Sequence, residues 1–137
     1  MKLFIVYDNT SGAILRKGSC ADDEVSIQAT ELNELVIEGD ANLASDYVLG
    51  GVITARPANP ATINKTTFAA DGIDTCVISN MLNPSTVSFV VPSNTDPIDT
   101  YTDTDGTLTF SALEAGEYSI TLSSFPYLDK VFNLTAV

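Results

Sequence analysis

Short runs of alternating apolar and polar residues, separated by turn-forming residues, recur along this chain. In the clearest run, residues 118–123, Tyr118, Ile120 and Leu122 occupy every second position. A period of two places these side chains on one face of a β-strand, whereas a helix would need a period near 3.6. Turn signals between such runs come roughly every 8–12 residues, which is typical of antiparallel sandwiches. The pattern predicts an all-β protein.

Two prolines within four residues, Pro57 and Pro60, divide the chain. Such a stretch favours an extended, semi-stiff connector. We therefore expect a β-rich docking module at residues 1–56, a Pro-rich connector at 57–62 and an antiparallel β-sandwich at 63–137. Charge does not separate the halves: residues 1–60 carry nine acidic and four basic groups, and residues 61–137 carry nine and two.

The first half begins with a β-hairpin signal. Residues 3–7 and 13–16 are rich in apolar and β-branched side chains, and the sequence DNTSG between them supplies turn chemistry. Asn9 and Gly12 are the residues in that turn expected to take a positive φ. Residues 35–38 predict a third strand, and Gly50 with Gly51 predicts the two-residue loop of a second hairpin.

Residues 22–33 are ambiguous, because their acidic start suits a short helix while Val25, Ile27 and Ala29 alternate as in a strand. We favour a strand or irregular structure here. The first sixty residues contain few apolar side chains, which makes a marginal core. We therefore expect this half to be stabilised by contact with the second half or with another chain.

The second half predicts about seven short strands, closed by turns at Asp71-Gly72 and Asp105-Gly106. Phe132 and Leu134 should face inward on the last strand. The predicted strands are residues 66–68, 75–79, 86–91, 98–101, 107–110, 118–123 and 131–135.

Composition excludes several functions. The chain has 18 acidic residues, 6 basic residues and no histidine, so its formal net charge is −12. That charge opposes binding to nucleic-acid phosphates. Without histidine there is no Ser-His-Asp or Cys-His mechanism and no His-ligated metal. The longest apolar run, residues 3–7, is far below the ~20 residues of a membrane helix. Phosphate-binding glycine motifs are missing. Some of the 18 acidic residues will form pairs, as glycosidases use, but no apolar or aromatic cleft is recognisable in the sequence around any pair. We therefore expect no enzyme and no cofactor.

The two cysteines do not indicate a site. Cys76 lies in an alternating run and is expected to be a small buried hydrophobe. Cys20 is expected in a loop, where its acidic neighbours disfavour the thiolate. A disulfide between them is not expected, because only two cysteines occur and no export signal is visible.

The acidic stretch 96–106 is the best metal candidate, because Ca²⁺ prefers carboxylate and carbonyl oxygens. Asp99, Asp103 and Asp105 are the candidate ligands, in a sandwich-loop site. The stretch fails the EF-hand pattern: with Gly106 at the sixth position, the first is Tyr101 and the twelfth is Ala112. The alternative is a solvated loop whose aspartates initiate turns.

Two further groups have both a functional and an ordinary interpretation. Residues 22–24 (DDE) are a second cation site or a patch for a basic partner, or else a solvated face or helix start. Tyr101 and residues 125–127 (FPY) are a surface for carbohydrate stacking or protein contact, or else pack within turns.

Residues 114–120 (EAGEYSI) resemble the tyrosine corner of immunoglobulin-like domains, in which a Tyr hydroxyl bonds to upstream backbone. Residues 68–74 (FAADGID) and 103–110 (DTDGTLTF) resemble segments of bacterial and phage Ig-like domains. The resemblance implies that residues 63–137 form an Ig-like sandwich. Ile120 stands where antibody domains have their second cysteine, and the chain has no tryptophan, so the antibody signature is missing.

The first half resembles small N-terminal modules of accessory structural proteins of tailed bacteriophages. The segments that carry this resemblance are YD at 7–8, G-x-I at 12–14, GSC-x-DD at 18–23, QA at 28–29, VIEGDA at 36–41, YV at 47–48 and RP at 56–57. It implies a virion location, a role in capsid decoration or tail attachment, and major capsid or tail proteins as partners. Repeated copies or a homo-oligomer are expected, without nucleic acid or membrane. The alternative is a bacterial surface or secreted Ig-like module that binds carbohydrate or protein.

Overall fold

The computed structural model describes residues 1–91 and 99–137, with only the backbone described at Asp99. These residues are nearly all β-structure, and the fold is all-β with an Ig-like antiparallel sandwich, as predicted. The chain forms two compact units, Met1–Pro57 and Ala58–Val137. We call them the N-terminal unit and the Ig-like unit.

The N-terminal unit is built on a three-stranded antiparallel sheet with β1 in the centre, in the order β2-β1-β3. Its strands are β1 (Lys2–Asp8), β2 (Ile14–Cys20), β3 (Glu34–Glu38), β4 (Asp46–Leu49) and β5 (Val52–Ala55). The hairpin β4-β5 turns at Gly50 and Gly51, which confirms the predicted two-residue loop. Ile5 and Val48 are buried in the small core between the sheet and this hairpin.

Val6, on the opposite face of the sheet, is also fully buried. It pairs with Arg16 and Val36, so the side chains of all three lie on that face. Arg16 donates hydrogen bonds to the Gln28 carbonyl and the Glu34 carboxylate. The segment that follows β2 therefore lies over this second face, and the small unit has three layers.

Residues 22–33 contain a single 3₁₀ turn, Val25–Ile27, and are otherwise irregular, which is one of the two expected outcomes. Two other local expectations for this unit were wrong. Cys20 is the last residue of β2 and not part of a loop. Asn9 is not among the described residues with positive φ, whereas Gly12 is, at +79°.

Gly12 is required for two reasons. Its left-handed backbone disfavours any side chain. In addition, a Cβ atom built on it would lie 2.0 Å from the carbonyl oxygen of Val48. The Val48 amide also donates to the Gly12 carbonyl at 2.8 Å. This contact fastens the hairpin β4-β5 to the start of β2.

The Ig-like unit has two sheets, with strand orders β10-β9-β12-β13-β7 and β11-β8-β6. All pairings are antiparallel except that of β13 with β7. Its strands are β6 (Thr62–Ile63), β7 (Thr67–Phe68), β8 (Cys76–Ser79), β9 (Ser85–Val90), β10 (Asp99–Asp103), β11 (Leu108–Phe110), β12 (Gly116–Ser123) and β13 (Lys130–Ala136). Ile98, the first residue of the predicted strand 98–101, lies outside the described residues.

The core of this unit follows the predicted alternation. Ile120 and Leu122 of β12 are fully buried, and Phe132 and Leu134 of β13 face inward. Cys76 is fully buried on the other sheet, as the strand pattern predicted. Period-two burial on both sheets is what encloses a sandwich core.

The tyrosine corner is confirmed. The Tyr118 hydroxyl donates to the Glu114 carbonyl at 2.9 Å, across the turn that precedes β12. The aromatic ring of Tyr118 meets Phe110 at 5.3 Å between centroids. One side chain thus fixes the turn and extends the core.

Candidate functional site

The acidic loop after β10 is organised by a turn. Asp103 is only 8% exposed, and its Oδ2 accepts a hydrogen bond from the Gly106 amide at 3.1 Å. Asp105 is exposed beside it. The Asp99 side chain and residues 96–98 lie outside the described part of the chain. Among the residues described, no three Cys, Asp or Glu side chains converge as metal ligands. Asp103 thus initiates a turn, as the alternative to a calcium site predicted. Calcium binding by this loop stays a prediction.

Tyr101 belongs to the core and does not form a stacking surface. Its ring lies parallel to Phe89 at 5.9 Å, and Phe89 stacks in turn on Phe110 at 5.7 Å. The Tyr101 side chain of the outer strand β10 therefore packs against the core of the unit. Phe125 differs, because 41% of its surface is exposed. The aromatic surface predicted for this unit reduces to the loop of residues 125–127.

The acidic residues 22–24 lie at the end of β2 and are all exposed. The amino group of Met1 contacts Asp22 at 2.8 Å. The Glu24 side chain makes no capping hydrogen bond to the 3₁₀ turn that follows it. Burial, followed by the fields of Glu24 and Asp22, raises the pKa of the Cys20 thiol. The negative patch therefore reaches the end of β2 and makes Cys20 a poor nucleophile.

Arg16 and Glu34 form a clamp that sequence reasoning missed. The two guanidinium nitrogens donate to the two carboxylate oxygens at 2.8 and 2.7 Å. The backbone amide of Thr30 donates to the same carboxylate at 3.0 Å. The hydrogen bond from Arg16 and then that from Thr30 lower the pKa of Glu34 from 4.5 to about 2. No local motif announces this pair, because the partners are 18 residues apart.

Apolar side chains are exposed at the tip of the second hairpin. Leu49 and Val52 face each other across Gly50 and Gly51 and are more than half exposed. Leu35, nearly half exposed, lines a groove of about 260 Å³ beside this tip. Exposed apolar groups clustered on a surface are the usual mark of a protein-contact site. The N-terminal unit therefore carries the candidate docking surface.

No helix in the described segments has the length and apolar character needed to cross a bilayer. Both thiols are free: Cys76 in the core and Cys20, partly exposed, at the strand end.

No protein-family model and no curated protein matches the chain. Among solved structures, the chain is similar to a glycosyl hydrolase family 2 member from Bacteroides cellulosilyticus, with 15% identity and a TM-score of 0.39. That match covers 99% of this chain and 22% of the other. A second family 2 member, from Bacteroides cellulosilyticus DSM 14838, has 14% identity and a TM-score of 0.38 over 98% and 23% of the two chains. The chain spans less than a quarter of either protein.

Proposed function

We propose that the chain is a non-enzymatic structural protein of a tailed-bacteriophage virion, an accessory component of the capsid or tail. It attaches to major capsid or tail proteins through its N-terminal unit. The observation that carries the proposal is the apolar surface of that unit. Among the described residues, nine large hydrophobic side chains are exposed in the N-terminal unit and seven hydrophobic residues are buried.

Small domains bury a smaller share of their surface on folding than large ones do, and contact with a partner removes further apolar surface from water. Docking would remove Leu35, Leu49 and Val52 from water. Each Å² of apolar surface buried in this way would stabilise the complex by about 25 cal/mol. The exposed glycines at the hairpin tip let a partner surface approach the backbone closely.

In this proposal the Ig-like unit projects outward from the particle or bridges neighbours. Its core is enclosed between its own two sheets. The net charge of −12 keeps a densely repeated surface soluble and discourages non-specific association.

A second candidate function rests on Phe125. An aromatic ring that is 41% exposed on a sandwich loop suits an Ig-like module that binds carbohydrate or protein. The aromatic loop, rather than the N-terminal unit, would then be the binding surface.

The proposal is tested by quantitative mass spectrometry of tailed-phage particles. The particles are purified from cultures in which the gene for this chain is present. Hundreds of copies per particle indicate capsid decoration, and about a dozen indicate a tail component. Leu49→Thr combined with Val52→Thr should reduce the copy number, whereas Phe125→Ala should leave it unchanged. Absence from particles would overturn the virion proposal and favour the binding module.

A further inference from the structure

The strand β2 has an open edge. In the described part of the chain it is the outer strand of its sheet and pairs with β1 alone. The Leu3 carbonyl accepts from the Gly39 amide, so the odd-numbered residues of β1 bond toward β3. The even-numbered residues of β1 bond toward β2, where Phe4 lies opposite Gly18. The backbone groups of Lys17 and Ser19 therefore point away from the sheet.

These outward groups have no hydrogen-bond partner within residues 1–91 and 99–137, and Lys17 and Ser19 are both exposed. A row of unpaired amides and carbonyls is a template for another strand. Proteins often block such an edge with a lysine. Here the Lys17 ammonium is held by Asp40 and by the Ala41 carbonyl, each at 2.9 Å. The Lys17 charge, which could otherwise block the edge, is therefore held by these two groups.

The charges around β2 indicate what the added strand carries. Lys2, Arg16 and Lys17 are each paired with a carboxylate of their own unit. Asp23 and Glu24, three and four residues beyond the end of β2, act electrostatically on Cys20 and have no basic partner among the described residues. A partner segment that carries Lys or Arg would therefore meet uncompensated negative charge near this end of the strand.

We propose that β2 accepts an extended segment of a partner protein by strand addition, with Lys or Arg of that segment beside Asp23 and Glu24. Backbone hydrogen bonds to Lys17 and Ser19 hold the segment, and the exposed Leu15 gives it an apolar contact. This deepens the proposed function, since it assigns the docking unit a second contact and names the chemistry of the partner.

A second copy of the chain fits this edge less well. Two copies each bring a net charge of −12, and the cations near β2 are already paired within their own unit. Self-pairing would therefore add repulsion without adding an ion pair. A basic segment adds ion pairs with no such cost.

The test uses the full-length, ¹⁵N-labelled chain and two capped peptides. One is Arg-Thr-Val-Thr-Val-Thr-Arg, and the other has Glu in place of both Arg. We expect the basic peptide to bind at least ~10-fold more tightly than the acidic one. Amide exchange at Lys17 and Ser19 should slow by at least ~10-fold on binding, because their N–H groups gain partners. The amide of Gly18, already bonded to β1, should change little.

Ser19→Pro removes one outward N–H at a position where edge strands tolerate proline. It should weaken binding of the basic peptide at least ~10-fold, whereas Ser19→Ala, which keeps the N–H, should bind like the wild type. If Ser19→Pro does not fold, protection of Lys17 and Ser19 in the wild type still decides the question.

Two double variants test whether Asp23 and Glu24 attract the basic peptide. Asp23→Asn with Glu24→Gln should weaken binding of the basic peptide several-fold and make that binding less salt-dependent. The matched control, Glu114→Gln with Glu117→Gln, removes the same charge from the Ig-like unit and should change little.

Three results would overturn the proposal. In the first, the basic peptide fails to bind. In the second, it binds Ser19→Pro as tightly as the wild type and does not slow exchange of the Lys17 amide, which would mean that only electrostatic attraction holds it. Alternatively, the chain itself is a dimer that Ser19→Pro dissociates, which makes the occupant a second copy. Peptide binding by a chain absent from phage particles would refute only the virion proposal. Particle association without peptide binding would refute only strand addition.

Discussion

The two units of this protein are built from the same kind of strand but bury their apolar residues differently. Among the described residues, the N-terminal unit buries seven hydrophobic side chains and exposes nine large ones. The Ig-like unit buries twelve and exposes five. The Ig-like unit encloses its core between two sheets, whereas the shorter unit covers one sheet with a hairpin and a loop. Stability is therefore concentrated in one unit and contact surface in the other.

The largest effect is expected in the Ig-like core. Leu134→Ala removes a fully buried side chain and should lower the free energy of unfolding by about 2–5 kcal/mol. The matched control Val131→Ala, at an exposed position of the same strand, should stay within about 0.5 kcal/mol. Urea unfolding, followed by NMR signals from each unit, measures both. An equal shift for residues 1–57 would show that the units unfold together and break the comparison.

In the N-terminal unit, Gly12→Ala should cost more than about 2 kcal/mol. The left-handed backbone and the close Val48 carbonyl both oppose a methyl group. Gly50→Ala is the control: it also has a positive φ but lies in open space, so only about 1 kcal/mol is expected. Unfolding curves from signals of β1 and β4 distinguish the two variants. Equal losses would mean that backbone strain, and not the fastening of the hairpin, decides this site.

The smallest effect concerns pH, because Arg16 of the clamp is partly exposed and solvent screens the pair. The pKa of Glu34 is 4.5 ordinarily and about 2 in the folded unit. Its contribution is therefore complete above pH 4.5 and is lost as the pH falls from 4.5 toward 2. Glu34→Gln should flatten this dependence for the N-terminal unit alone. Stability of both units measured between pH 2 and 6 checks it, and an unchanged slope in the variant would exclude the clamp.

Prediction from sequence succeeded where the signal is local. The alternation of Tyr118, Ile120 and Leu122 fixes which face is buried, because a strand repeats every two residues. The Gly50-Gly51 loop and the tyrosine corner also rest on neighbours in the chain. Each of these features involves residues close enough in sequence to constrain one another before the rest has folded.

Prediction failed where a distant segment decides. For residues 22–33 the sequence left strand and irregular structure open, and packing over a sheet face that already has its strands decided for the irregular form. Tyr101 was a candidate surface residue and instead stacks on Phe89 across the strand pair β9 and β10. The Arg16–Glu34 clamp and the unpaired edge of β2 could not be foreseen, because both depend on strand order.

The all-β class, the hairpin turns, the inward faces of the strands and the strongly acidic character are all written in the amino-acid sequence. They follow from period-two patterning, turn chemistry and charge, which are properties of short stretches. Which strand stands at an edge, which cations are already paired and which apolar side chains stay exposed are known from the folded chain alone. Those outcomes depend on long-range pairing and burial, where residues far apart in the chain compete for the same neighbours.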